Sequence, residues 1–241
     1  MKVISQARFE TRMILRHGEQ ALLNIILPAL AMIVLAKVPV PGGGAPMSIS
    51  AAYASGLALA WTSTAFTSQA IALAFDRRSG VLRMLSTTPL GPGGLWAGKL
   101  LAVGLVALVE FIVLTAIGLA LGLGFTSGVI LPGLLTALFG LAAFLGLGLL
   151  LGGTLRPEAV LALANIAWVA LAGGGGLLLP VDDYPGIWST IISYLPSGAL
   201  GEAMRDIADA GGLPVAHLAV LAVWAIGGGL AAARFFRWDS K

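Results

Sequence analysis

Residues 95–123 read LWAGKLLAVGLVALVEFIVLTAIGLALGL, an apolar run in which only Lys99 and Glu110 carry charge. A helix needs about 20 such residues to cross a hydrocarbon core of about 30 Å. The run exceeds that length, so it reads as a membrane span that is tilted or extends past the bilayer. Working outward, comparable stretches lie at 21–37, 50–75, 129–153, 159–180 and 213–236. Composition agrees. Of 241 residues, 58% are hydrophobic and 10% charged, against about 25% charged in soluble domains; mean hydropathy is +0.96. Such a chain cannot cover a water-facing surface. The fold class is therefore an all-α integral membrane protein, a single domain of six transmembrane helices behind an amphipathic N-terminal helix. Ten-residue alternating segments, the mark of a membrane barrel, are missing. Cysteine is absent, which excludes disulfides and thiolate metal sites. Glu10, Glu19 and recurring basic residues keep the first 20 residues from being a signal peptide.

Charge sets the orientation. With the N-terminus inside, six spans return the C-terminus inside, and the inner segments hold Lys2, Arg8, Arg12, Arg16, Arg77, Arg78, Arg83, Lys99, Arg156, Arg234, Arg237 and Lys241. That is twelve of the fourteen basic residues, leaving Lys37 and Arg205 outside. The split follows the positive-inside rule and places both termini in the cytoplasm.

The segments between spans are informative. In residues 1–20, Arg8, Arg12 and Arg16 recur every fourth position, so a helix there carries one basic stripe and lies in the inner headgroup layer against anionic lipid, the alternative being a solvated N-terminal tail. Residues 76–94 form the long inner loop, in which Ser79 is a candidate N-cap and Val81, Leu82, Met84 and Leu85 give a short helix an apolar side. Pro89 and Pro92 end that helix. It either docks another protein or rests on the membrane surface. Gly173–Gly176 interrupt the fifth span, for close packing with a flexible break or for lining a substrate path. Gly118/Gly122 and Gly148/Gly152 are small-residue pairs suited to helix packing. The outer loop 181–212 holds an apolar element around Ile187–Leu195 and a second helix over 200–209, with Ser197 as candidate N-cap and Gly211-Gly212 closing it. A loop of that length is a candidate gate.

Chemistry is scarce. Gly93-Gly94-Leu95-Trp96-Ala97-Gly98-Lys99-Leu100 nearly spells a phosphate-binding loop, but Leu100 replaces the Mg-binding hydroxyl and no strand precedes it. Lys99 reads instead as an interfacial anchor. The two histidines, His17 and His217, fall on opposite sides of the membrane in this topology, H-E-x-x-H and G-x-S-x-G are absent, and no acid or histidine cluster falls within one span. Glu110 is the one ionisable group deep in a span. It is either a pathway group or held by a hydrogen bond to Asn165, Gln69 or a Ser/Thr hydroxyl.

Asp76-Arg77-Arg78-Ser79-Gly80-Val81-Leu82-Arg83-Met84-Leu85-Ser86-Thr87-Thr88-Pro89-Leu90, followed by Gly98-Lys99, resembles the hallmark of type-2 ABC exporter (ABC-2) permeases, with Asp76 where that family more often has Glu. The resemblance extends to the basic amphipathic start, the six spans and the large loop between spans five and six. It implies that residues 1–20 are an elbow helix, that 76–90 seat in a cleft of a separate ATPase subunit, and that 181–212 gate the outer side. Asp76, Arg77, Arg78, Gly80, Leu82, Arg83, Leu85, Thr88 and Pro89 would make the coupling contacts. ATP and Mg would be bound by that partner, with no cofactor in this chain, and a second permease copy or sister permease would complete the pathway. The expected role is ATP-driven export of a hydrophobic or amphipathic compound (drug, lipid or lipid-linked) across the cytoplasmic membrane. Glu110, Asn165 and Gln69 are the candidate intramembrane polar groups. Membrane lipid is an expected partner and nucleic acid is not. An ATP-independent channel or carrier, or a non-transporting membrane anchor, stands as the alternative; an enzyme lacks the groups it would need.

Overall fold

A computed structural model describes residues 2–16, 18–39, 45–86, 91–124 and 128–236. Among these, every regular element is helical. Helix α1 (Lys2–Arg16) precedes α2 (Gly18–Lys37); α3 (Ile49–Thr62), a π-helical turn (Ser63–Ser68) and α4 (Gln69–Arg78) follow one another without a gap. A short α5 (Val81–Ser86) leads to α6 (Gly91–Ala120), α7 (Ile130–Thr154) and α8 (Pro157–Gly174). After a 3-10 turn at Val181–Asp183 come α9 (Ile187–Ser193), α10 (Pro196–Ala210) and α11 (Val215–Phe235).

The run read first, 95–123, lies in α6 as far as Ala120, and its last three residues form the turn that follows. By length and composition four described helices can cross a membrane: Gly93–Ala120, Ile130–Thr154, Pro157–Gly174 and Val215–Phe235. The other two expected spans correspond to α2, whose apolar part Asn24–Lys37 is shorter, and to α3–α4, which the π-helical turn divides.

Small residues bring the helices together. A Cβ on Gly146 of α7 would lie 2.9 Å from the Gly229 nitrogen of α11, and one on Gly148 would lie 2.8 Å from the Phe66 carbonyl oxygen. Gly152 meets the Ala70 backbone in the same way. The expected packing of Gly148 and Gly152 is therefore present, and α7 sits between α3–α4 and α11 with backbone close to backbone. Gly122 behaves differently from expectation: α6 ends at Ala120, and Gly122 lies in the turn that follows. Buried Phe144, Leu145, Leu149, Leu57, Leu73 and Leu114 fill the core between these helices.

The polar segments gather at two ends. At one, Gly98 abuts Gln6 of α1, Phe236 abuts Gly153, and Arg77 donates to the Leu155 carbonyl at the α7–α8 turn. At the other, Ser50 bonds Asp209 at 3.3 Å and α10 packs under α3.

Three expectations need correction. The fifth span does not run to 180: α8 stops at Gly174, because Gly176 takes a φ of +79° that turns the chain under α10. Ser197 is not the cap of α10; the helix starts one residue earlier at Pro196, whose ring supplies the first helical φ. Ser79 closes α4 rather than opening α5, its hydroxyl donating back to the Asp76 carbonyl at 3.1 Å.

Candidate functional site

The α1 end of the bundle is organised around a buried cation. Lys99 is 1% exposed. Its ammonium donates to Glu10 Oε2 at 3.0 Å and lies 3.4 Å from Gln69 Oε1. Gln6 donates to the other Glu10 oxygen at 3.0 Å. Gly98, one residue earlier, leaves the room that Gln6 occupies; a Cβ there would sit 2.7 Å from Gln6 Cγ. Gly98-Lys99 thus clamps α1 onto α6. Lys99 is no interfacial anchor, because its charge is neutralised inside the protein rather than in the headgroup layer. Nor is 93–100 a phosphate loop: the stretch is helical throughout and its lysine is committed to Glu10. Asp76 faces the same cluster, and burial pushes its carboxyl above the usual range, Lys99 pulling it back and Glu10 adding to the rise.

From this node the chain turns a corner into α5. Gly80 takes a φ of +77°, the left-handed conformation that favours glycine. Leu82 is fully buried and Met84 is 66% exposed. Leu82 therefore anchors α5 to the bundle, while Met84 occupies the outward position expected of Leu82. Arg77 is also internal, 4% exposed and bonded to the Leu155 carbonyl. Arg78 is exposed and pairs with Glu158 of α8. Of the nine candidate coupling residues, Asp76, Arg77 and Leu82 thus build the corner, and Arg78 and Gly80 face outward. Arg83 and Leu85 belong to α5, but their side chains lie outside the described set, and Thr88 and Pro89 lie outside the described residues.

The intramembrane polar groups divide. Glu110 is fully buried and accepts a hydrogen bond from Thr64, in the π-helical turn. Asn24 of α2 donates to Thr64 at 3.3 Å and to Ser68 at 3.0 Å, and Ser63 donates to Asn24 at 3.0 Å. A π turn inserts one residue into the helix and re-aims its neighbours; here Ser63, Thr64 and Ser68 all reach partners on α2 or α6. Gln69 belongs to the Lys99 cluster instead. Asn165 is exposed, its amide donating to the Leu161 carbonyl at 2.8 Å within its own helix. The hydroxyl partner is thus the one that holds Glu110, and Asn24, missed in the sequence because a lone Asn near a span start looks unremarkable, completes the cluster.

The far end has its own clamp, which sequence reading also missed. Arg205 of α10 is 5% exposed. It donates to the carbonyls of Gly176 at 2.7 Å, Leu177 at 3.2 Å and Leu179 at 3.3 Å, to Ser55 at 3.0 Å, and to Glu202 at 2.7 Å. Glu202 in turn accepts from the Val181 amide at 2.8 Å. One side chain thereby satisfies the backbone that the glycine break frees. Gly198 and Gly201 let α10 approach that backbone: a Cβ on Gly201 would overlap the Gly176 carbonyl oxygen. By contrast α9 presents Ile187, Trp188 and Ile191 outward, with Tyr194 exposed just after its end, an apolar face suited to lipid.

A family model described as ABC-2 family transporter protein matches residues 7–234. Over 74 residues the chain is 32% identical to "Putative transport permease YvfS" of Bacillus subtilis (strain 168), a match spanning 31% of this chain and 30% of that protein.

Proposed function

The chain belongs to the ABC-2 family of transporter proteins, and on that premise we propose that it is the membrane-spanning half of an ATP-driven exporter whose ATPase is a separate subunit. Membership makes it a membrane transport component rather than a catalytic one. In this reading all six apolar stretches cross the cytoplasmic membrane, and α1, the α4–α5 corner and the α7–α8 turn face the cytoplasm. The observation that supports it most is the corner itself. It is braced from behind by Leu82, Arg77 and the Lys99 cluster, and it offers Arg78, Gly80 and Met84 outward beside Glu158. A rigid projection of this kind can transmit force from nucleotide-driven closure of a partner to the membrane helices. ATP and Mg belong to that partner. A second permease copy completes the pathway, and the apolar walls favour a hydrophobic or amphipathic cargo.

The deciding experiment is co-expression with a separate soluble ABC ATPase subunit. The expected result is co-purification that survives in wild type and is lost in Met84→Asp with Arg78→Glu, together with ATP-dependent efflux from inverted vesicles. Flux by the purified chain without ATP would support the carrier reading instead. Glu110 gives that reading no help: it is sealed among Thr64 and its neighbours and faces a structural role, so Glu110→Gln should leave transport near wild type.

A further inference from the structure

Between α6 and α7, backed by α3, runs an open groove of about 1690 Å³. Leu105, Leu108, Leu134 and Leu138 line its length, each between 47% and 63% exposed. The two ends differ. One is closed by Met204 and Ile207 of α10, and the other carries Arg8 and Arg12 of α1. These arginines stand one helical turn apart, both are exposed, and neither has a carboxylate partner among the described residues. Among the described residues no acid lines the groove. Along α6 its lining runs from Leu100 to Phe111, roughly 17 Å at about 1.5 Å per residue, or about one leaflet of a hydrocarbon core.

The lining selects the occupant. Exposed leucines along a membrane helix meet acyl chains rather than water. Two unpaired guanidiniums at the end of an apolar slot present forked donors to a phosphate, and anionic headgroups concentrate at the cytoplasmic leaflet. A second copy of the chain fits poorly. The two-fold axis of a membrane dimer runs along the bilayer normal, so arginine end would meet arginine end with no acid between them.

We infer that this groove binds one anionic phospholipid, its phosphate on Arg8 and Arg12 and its acyl chains against the leucines of α6 and α7. The site needs neither ATP nor a partner subunit, so its test is independent of transport. The full chain, purified in detergent, is offered dioleoyl phosphatidylglycerol or dioleoyl phosphatidylcholine, and bound lipid is counted by native mass spectrometry. One phosphatidylglycerol should be retained about tenfold more strongly than phosphatidylcholine, because both carry the phosphate but choline sets a cation of its own against the two guanidiniums. Arg8→Gln with Arg12→Gln should erase the preference. Gly104 lines the groove with open space beside it, so Gly104→Trp should reduce retention of both lipids. If its melting temperature falls, Gly104→Leu repeats the test with less bulk. Equal retention of the two lipids by wild type, or a preference that outlives the arginine changes, overturns the inference. So does full competition by inorganic phosphate, which would reduce the site to an anion cradle. Disulfide dimers of Leu134→Cys in native membranes would make the groove a subunit interface instead; the chain has no cysteine of its own to confuse that result.

Discussion

Lys99→Ala would leave Glu10 beside a cavity in place of its cation, and breaking a buried ion pair from one side costs about 3–5 kcal/mol. Glu10 keeps 12% side-chain exposure, which places the expected cost at the lower end. The melting temperature should fall and α1 should become sensitive to protease, whereas Lys99→Met combined with Glu10→Gln should recover most of the loss. Asp76, in the same cluster, has a titration consequence. Its folded value is raised by burial, so the folded state binds the proton more tightly than the unfolded chain does. The protonated carboxyl therefore favours folding at acid pH, and that contribution fades as pH climbs from the ordinary carboxylate value through the raised one. Asp76→Asn stays neutral throughout. Its melting temperature relative to wild type should rise with pH across that window and level off above it; a difference that does not change with pH would refute the assignment. Arg205→Lys should not substitute for arginine, because an ammonium cannot reach the three carbonyls and Ser55 together.

Among the elements, α5 separates two roles that one apolar face had merged. Leu82→Ala removes a fully buried side chain and should lower stability by about 2–5 kcal/mol, while Met84→Asp should leave the melting temperature unchanged and weaken capture of the ATPase. The sequence could give α5 a position and an apolar side, since hydropathy and flanking prolines are local signals. It could not say that Leu82 turns inward and Met84 outward, because that depends on how α4 and α6 approach one another. The same limit explains Lys99: a lysine at the end of an apolar run looks like a headgroup anchor until Glu10, eighty-nine positions away, is brought beside it. The apolar lengths of α6, α7, α8 and α11 were legible throughout. The end of α8 and the clamp on Arg205 were not, since they rest on backbone carbonyls that carry no sequence signature.

For the whole molecule, sidedness is the property that the proposed role requires, and a cysteine-free chain permits a clean measurement. Ser79→Cys and Asp183→Cys are both exposed positions, at opposite ends of the bundle. A membrane-impermeant maleimide added to intact cells should label Asp183→Cys alone, and Ser79→Cys should react only after the membrane is opened. Labelling of Ser79→Cys from outside would invert the topology and remove the coupling corner from any cytoplasmic partner. Where α7 lies against α3–α4 and α11, Gly146, Gly148 and Gly152 leave no compressible cushion between neighbouring main chains. Those helices cannot slide past one another by degrees, so in the proposed transport cycle they would travel as one solid piston and bending would fall to the periphery, where α8 runs out into Gly173 and Gly174 with open space where side chains would stand.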